Sequence, residues 1–198
     1  MRIGVFGGTF DPPHLGHQIL AAEAVQQSDL DRLLWVLTPT PPHKLQQQHT
    51  ALEHRLEMVR RMVALHPKFE LSEVEIRRPG PHYALDTMLL LQEQYPADVL
   101  CYLIGGDSLR DLHLWHKPEA FMNACDEIVV MRRAGAKLGW RTISSQFPVL
   151  KKKVKFLDAP LIEISASRIR EKAGQGETVW QYLTPEVNAY ILENRLYQ

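Results

Sequence analysis

Little in this sequence is in excess, and the shortages exclude several classes at once. Its 198 residues hold two cysteines. Cys101 lies in an apolar run and Cys125 beside Asp126, without the paired spacing of a disulfide framework or a zinc ligand set. Two lone thiols are expected to be reduced, and the chain is expected to be cytoplasmic. No apolar run approaches the roughly 18 residues that span a bilayer. The opening apolar stretch stops at Gly7-Gly8, too short for the apolar region of a signal peptide. Net charge is also missing: 23 Lys+Arg balance 23 Asp+Glu, so no global attraction draws the chain to nucleic acid or an anionic membrane. Internal repeats and low-complexity segments are absent. With 45% hydrophobic and 23% charged residues, the composition is that of a folded globule rather than a disordered chain. The length predicts one domain over 1–198, with a core over about 1–160 and a C-terminal helical portion over about 161–198.

The zero net charge hides a segregation. Residues 132–172 carry 11 Lys/Arg against 3 Asp/Glu, a local +8, and the remainder carries 12 against 20, which is −8. Most of this basic excess, including Lys151-Lys152-Lys153, reads as solvated surface.

Hydrophobic patterning predicts strands at Arg2–Phe6, Asp31–Leu37, Phe69–Ile76, Val99–Ile104 and Glu127–Met131, with a further strand within Lys151–Leu157. Helices are predicted over Leu15–Gln27, after Thr50 (with Glu53 as a capping box and Leu52, Leu56, Val59 and Val63 on one face), over Tyr83–Gln94 with Leu85, Met88 and Leu89 on one face, after Ser165, and after Thr184-Pro185-Glu186. Strands that are apolar throughout, alternating with helices, predict an α/β fold: a Rossmann-like, doubly wound, mostly parallel sheet with a small helical C-terminal portion. In such sheets ligands bind at the carboxyl ends of strands. Three of those ends are unusual: Gly7-Gly8-Thr9-Phe10-Asp11-Pro12-Pro13-His14-Leu15-Gly16-His17, Pro41-Pro42-His43-Lys44, and Gly105-Gly106-Asp107.

The first of these loops lacks the Gly-Lys-Ser/Thr of a P-loop and the third glycine of a dinucleotide fingerprint. It nonetheless suits phosphate. Two glycines allow close backbone approach, and the helix that follows offers unpaired N–H groups and a partial positive charge. His14 and His17, three apart, share a face there. The competing readings are a metal pair, which the lack of nearby Cys or carboxylate ligands disfavours, and helix caps without chemistry. No metal site is assigned.

Gly8-Thr9-Phe10-Asp11-Pro12 with His14-Leu15-Gly16-His17 resembles the first signature of the nucleotidyltransferase superfamily. Ile164-Ser165-Ala166-Ser167-Arg168-Ile169-Arg170 resembles its second. Pro41-Pro42-His43-Lys44, Gly80–Thr87, Gly105–Leu109 with Trp115, Arg132-Arg133 and the tail Leu183–Tyr197 are similar to nicotinate mononucleotide adenylyltransferases. That family usually has Ser-Tyr-Thr where this chain has His82-Tyr83-Ala84. The resemblance implies adenylyl transfer from ATP to nicotinate mononucleotide, with Mg²⁺ carried on the ATP phosphates. It implies His14 and His17 at the phosphates; Gly8, Thr9, Phe10, Gly105, Asp107, Ser165, Ser167 and Arg170 around ATP; and Lys44, Tyr83, Ala84, Trp115 and Arg133 around the mononucleotide. It reverses the ordinary reading of a tryptophan as packing for Trp115 alone, leaving Trp35, Trp140 and Trp180 in the core. Alternatives are an enzyme preferring nicotinamide mononucleotide, a phosphopantetheine adenylyltransferase, and a non-catalytic nucleotide-binding module. A nucleic-acid binder is disfavoured by the lack of aromatics among the basic residues.

Overall fold

The computed structural model describes residues 1–41, 49–132, 139–158, 160 and 163–198. Strands and helices alternate along the chain: β1 (Arg2–Gly8), α1 (Leu15–Gln27), β2 (Arg32–Leu37), α2 (Leu52–Val63), β3 (Phe69–Ser72), α3 (Ala84–Gln94), β4 (Val99–Gly105), α4 (Gly106–Arg110), α5 (Pro118–Ala124), β5 (Glu127–Arg132), α6 (Trp140–Gln146), α7 (Leu150–Lys153), β6 (Val154–Asp158), α8 (Ala166–Gly174) and α9 (Pro185–Glu193). The six strands form one sheet in the order β3-β2-β1-β4-β5-β6, and every neighbouring pair is parallel. The predicted Rossmann-like α/β architecture is therefore present. The order reverses between β1 and β4, which makes that gap the topological switch point.

Each face of the sheet carries its own core, which is why the strands read as continuous apolar runs. Phe6, Leu33, Trp35, Leu37, Leu103 and Met131 pack with α1 and α2 and with Ile169, Val187 and Ile191 of the C-terminal helices. Ile3, Val5, Leu34, Val36, Ile104 and Val130 point the other way, onto Met88 and Leu91 of α3 and Phe121 of α5. A Cβ on Gly4 would meet Leu33 Cδ1 at 2.5 Å and Leu30 Cδ1 at 2.6 Å, so a larger residue there would displace leucine side chains of the first of these cores.

Several expectations change. β3 stops at Ser72, which pairs with Val36, one residue before the end of β2. The chain turns instead, with Arg77 N–H donating to Glu73 O at 3.1 Å, and this sends Glu75 inward. The Thr50 capping box does not form. Thr50 N–H donates to Asp11 Oδ2 at 3.1 Å, and α2 begins after Ala51 without a side-chain cap. Leu89 is exposed, whereas Leu85 and Met88 are buried. Lys151–Leu157 divides into α7 and β6. Lys153 is not a solvated residue: its Nζ donates to the carbonyls of Met122, Asn123 and Cys125 at 3.0, 3.1 and 2.5 Å. It thereby satisfies the C-terminal end of α5, where a cation is favoured. Trp35 is fully buried as expected, but Trp180 is 66% exposed rather than packed.

Candidate active site

A cavity of about 750 Å³ opens at the switch point, over the carboxyl ends of β1, β2 and β4. Gly8 and Thr9 border it from β1, Thr38 from β2, and Gly105 and Asp107 from β4 and α4; Tyr83, Ala84 and Trp115 border it from the far side. Gly8 is constrained by packing, since a Cβ there would lie 2.8 Å from the Phe10 ring. Phe10 itself adopts φ +45° and turns its side chain into the core, edge-on to Phe6 and His17 at 5.5 and 5.1 Å between centroids.

The loop then delivers the two histidines. His14 is the N-cap of α1 and His17 its third residue. His17 N–H donates to His14 Nδ1 at 3.3 Å, and His14 N–H donates to His17 Nδ1 at 3.2 Å. The pair thus forms a reciprocal capping box, a role usually taken by Ser/Thr and Glu. The rings stack with centroids 3.7 Å apart. Because each Nδ1 accepts, the proton of each neutral ring resides on Nε2, which leaves one N–H donor per ring. Burial pushes His14 down to about 4. Burial, then the neighbouring His14, holds His17 well below its ordinary range. Both rings are therefore neutral donors at neutral pH.

Asp11 anchors this loop. Its Oδ1 accepts from the Tyr197 hydroxyl at 2.8 Å and its Oδ2 from Thr50 N–H at 3.1 Å. Its backbone carbonyl accepts from Arg170 Nη1 at 2.6 Å. Burial acts to raise the Asp11 carboxyl, but the hydrogen bonds from Thr50 and Tyr197 and the charge of Arg170 outweigh it and hold the group below its usual range. Arg55, also buried, donates to the carbonyls of Thr50, Thr9, Thr38 and Pro39 at 2.9, 3.1, 2.9 and 2.7 Å. One guanidinium thus ties together three segments at the mouth of the sheet. Ser165 caps α8, its Oγ accepting from Arg168 N–H at 3.3 Å, and lies 3.3 Å from Ser167 Oγ.

On the far wall, α3 begins with Tyr83 as an N-cap that makes no side-chain cap bond. Ala84 and Leu85 of that first turn line the cavity. Tyr83 stacks on His116 at 4.1 Å. Trp115 leans on Phe121 at 5.0 Å, which fixes one edge of its ring and leaves the residue partly exposed at the cavity. Among the described residues no group of three or more His, Cys, Asp or Glu is placed to hold a metal ion.

The model of a family described as cytidylyltransferase-like matches residues 5–172. The nicotinate-nucleotide adenylyltransferase of Bacillus subtilis (strain 168) is 36% identical over 198 residues, covering 100% of this chain and 98% of its own. A probable nicotinate-nucleotide adenylyltransferase of Thermomicrobium roseum is 37% identical over 197 residues, covering 100% of this chain and 92% of its own. This chain belongs to the cytidylyltransferase-like family, among the nicotinate-nucleotide adenylyltransferases. A solved structure, Plasmodium falciparum nicotinic acid mononucleotide adenylyltransferase complexed with NaAD, shares the fold at a TM-score of 0.82 and 19% identity, covering 99% of this chain and 97% of that one. The structure of that enzyme complexed with APC gives 0.78 at 20% identity, covering 99% of this chain and 96% of that one.

For a chain of this family, the fold gathers the expected residues into two neighbouring groups. Gly8, Thr9, Tyr83, Ala84, Gly105, Asp107 and Trp115 share the cavity. His14 and His17 stand at the start of α1, and Arg170 is bonded to the same loop. Asp107 is not the N-cap of α4, a position Gly105 takes; its carboxylate instead pairs with Arg110 at 3.1 Å on the exposed rim. Lys44 and Arg133 lie outside the described residues. Sequence reasoning missed Arg55, although it sits three residues after Leu52 and four before Val59 on the apolar face of α2, where a charge signals a buried partner set. It also missed Glu75, whose Oε1 accepts from Thr87 Oγ1 at 2.5 Å, because the pattern there suggested a longer strand. Tyr197 was legible only as part of the tail that resembles the family.

Proposed function

We propose that this chain transfers the adenylyl group of ATP to nicotinate mononucleotide, giving nicotinate adenine dinucleotide and pyrophosphate in NAD biosynthesis. The observation that carries this reading is the bond between the two signatures. Arg170 meets the carbonyl of Asp11 at 2.6 Å across 159 positions of sequence. That contact sets α8, with Ser165 and Ser167 at its start, against the loop that leads into His14 and His17. Phosphate-facing donors from both ends of the chain then share one mouth beside a cavity of nucleotide size.

The nucleophile is the 5′-phosphate of the mononucleotide. Its second pKa is about 6, so it is largely dianionic at neutral pH and needs no general base. The histidines suit this chemistry: rings held neutral, with Nδ1 occupied by a backbone N–H, are donors and not proton acceptors. His17 faces the α-phosphoryl group, His14 lies beside it, and the backbone of Gly8, Thr9 and Phe10 lines the approach. Ser165, Ser167 and Arg170 hold the β- and γ-phosphates and so stabilise the departing pyrophosphate. Catalysis is alignment and charge stabilisation of an in-line displacement at the α-phosphorus. Asp107, at the cavity rim with Gly105, accepts from ribose hydroxyls. The pyridine ring stacks on Trp115, and the α3 amides at Tyr83 and Ala84 meet its carboxylate.

Mg²⁺ enters on the ATP phosphates and, when bound, neutralises part of their charge. The donor set suits this arrangement: with each histidine Nδ1 accepting a backbone N–H, the rings face phosphate oxygens and not a cation. Cys101 and Cys125 are both buried free thiols, in keeping with a reducing compartment, and we place the enzyme in the cytoplasm. No described helix is long and apolar enough to cross a membrane.

The test is pyrophosphate release from ATP with each mononucleotide. Release with the nicotinate form and little with the nicotinamide form is expected. Silence with both, despite nucleotide binding, would favour a non-catalytic module.

A further inference from the structure

Arg55 is only 3% exposed, and the four hydrogen bonds of its guanidinium to described residues all end on backbone carbonyls. Nη1 donates to Thr9 O at 3.1 Å and Thr38 O at 2.9 Å, Nη2 to Pro39 O at 2.7 Å and Nε to Thr50 O at 2.9 Å. A buried cation opposes folding unless it is well bonded, and apolar side chains of similar volume often serve stability as well. What an apolar group could not do is hold three separate stretches of backbone at one point.

Two of those stretches border the cavity, at Thr9 after β1 and Thr38 after β2. Thr9 opens the loop that leads to His14 and His17 at the start of α1. Thr38 connects in the other direction. Its side chain faces the Glu75 carboxyl, whose Oε1 accepts from Thr87 Oγ1 at 2.5 Å. Thr87 belongs to α3, the helix whose first turn forms the far wall. Glu75 and Thr87 are both buried, so the line from Thr9 through Arg55, Thr38 and Glu75 to α3 is shielded from water. The β1–β2 ladder ends at Gly8 and Leu37, and just past it Thr38 N–H donates to Gly8 O at 2.9 Å. Further out, Arg55 supplies the bonds that join Thr9 to Thr38 and Pro39. Arg55 itself is not among the residues that border the cavity.

We propose that Arg55 is a positioning residue that fixes the spacing between the ATP loop after β1 and the mononucleotide wall reached through Thr38, and so aligns the two substrates for in-line displacement. This rests on the adenylyltransferase reading above and names what keeps its two half-sites in register. With no general base, the rate depends on alignment, and a misplacement of about 1 Å can cost on the order of 10²-fold. Arg55 acts through the carbonyls of Thr9, Thr38 and Pro39 and touches neither substrate. Lysine is no substitute, because one ammonium does not span carbonyls on three segments as the guanidinium fork does.

The experiment uses the full chain as wild type, Arg55→Lys and Arg55→Gln. Isothermal titration calorimetry gives Kd for ATP alone, nicotinate mononucleotide alone and nicotinate adenine dinucleotide; pyrophosphate release gives kcat, and a thermal melt gives Tm. In both variants Kd for each single substrate should change less than about 3-fold. Kd for the dinucleotide, which occupies both half-sites at once, should rise on the order of 10-fold or more. The kcat should fall on the order of 10²-fold. A brace for stability alone would lower Tm and leave the ratio of dinucleotide to single-substrate affinity as in wild type. That ratio unchanged in Arg55→Lys, or equal losses for all three ligands, would overturn the proposal. Should Arg55→Gln not fold, Arg55→Lys decides on the same ratio. Wild type that binds the dinucleotide no more tightly than either substrate, and releases no pyrophosphate with either mononucleotide, would instead overturn the adenylyltransferase reading, and this proposal with it.

Discussion

Replacing Tyr197 with Phe removes one oxygen and tests whether the C-terminal tail holds the catalytic loop. The Tyr197 hydroxyl donates to Asp11 Oδ1 at 2.8 Å, and Asp11 is only 2% exposed. A hydrogen bond to a charged acceptor contributes about 1.5–3 kcal/mol, and its loss here leaves a buried carboxylate oxygen short of a donor. For a chain of this size each kcal/mol corresponds to about 2–4 °C in Tm, so Tyr197→Phe should melt roughly 3–12 °C below wild type. The ring stays and the cavity is untouched, which separates this change from a packing defect. Asp11 is held low partly by this bond, so the stability gap between wild type and variant should narrow as acid protonates Asp11 in the unfolded chain. Because Asp11 also accepts from Thr50 and Arg170, loosening it should raise KM for ATP more than KM for the mononucleotide. Differential scanning calorimetry with steady-state kinetics reads both effects. A Tm within about 1 °C of wild type, with KM for ATP unchanged, would refute the anchoring role.

His17→Ala should lower kcat by about 10²–10³ with a smaller change in KM for ATP, the signature of a donor used chiefly in the transition state; equal losses in kcat and affinity would contradict that role. Stability should also fall on mild acidification. His14 is lowered to about 4, so the unfolded chain takes up a proton near pH 6.5 that the folded chain refuses. Stability is then full above about 6.5 and declines towards pH 4 by roughly 3 kcal/mol for that group, a slope that urea titrations between pH 4 and 8 would reveal and that His14→Gln should flatten. Gly8→Ala should cost about 1–3 kcal/mol through overpacking, since its Cβ would lie 2.8 Å from the Phe10 ring; an unchanged urea midpoint would show that the ring yields.

The strands most legible in the sequence are those buried on both faces. β1, β4 and β5 are short apolar runs because helices cover each side. The histidine pair was legible as a spacing and helix capping as one of its readings, which the structure shows; that each ring caps the other's backbone was not, because capping boxes are ordinarily recognised as Ser or Thr with Glu. Thr50 shows the converse. Its local pattern fits a capping box, yet its N–H is taken by Asp11 from another segment. Glu75 turned inward because the chain turns after Ser72, with Arg77 N–H donating to Glu73 O, a tertiary fact that no local alternation carries. Lys153 looked like part of a solvated run, since three carbonyls at the end of α5 are invisible from its neighbours in sequence. The cavity residues were legible as three strand ends; that they share one wall depends on the β1–β4 adjacency.

The most direct test of the central claim follows the α-phosphorus. Incubated with ATP labelled at that position and nicotinate mononucleotide, the enzyme should place the label wholly in nicotinate adenine dinucleotide, with one pyrophosphate released per dinucleotide formed. Label appearing in free AMP, or pyrophosphate released without dinucleotide, would contradict adenylyl transfer to the mononucleotide.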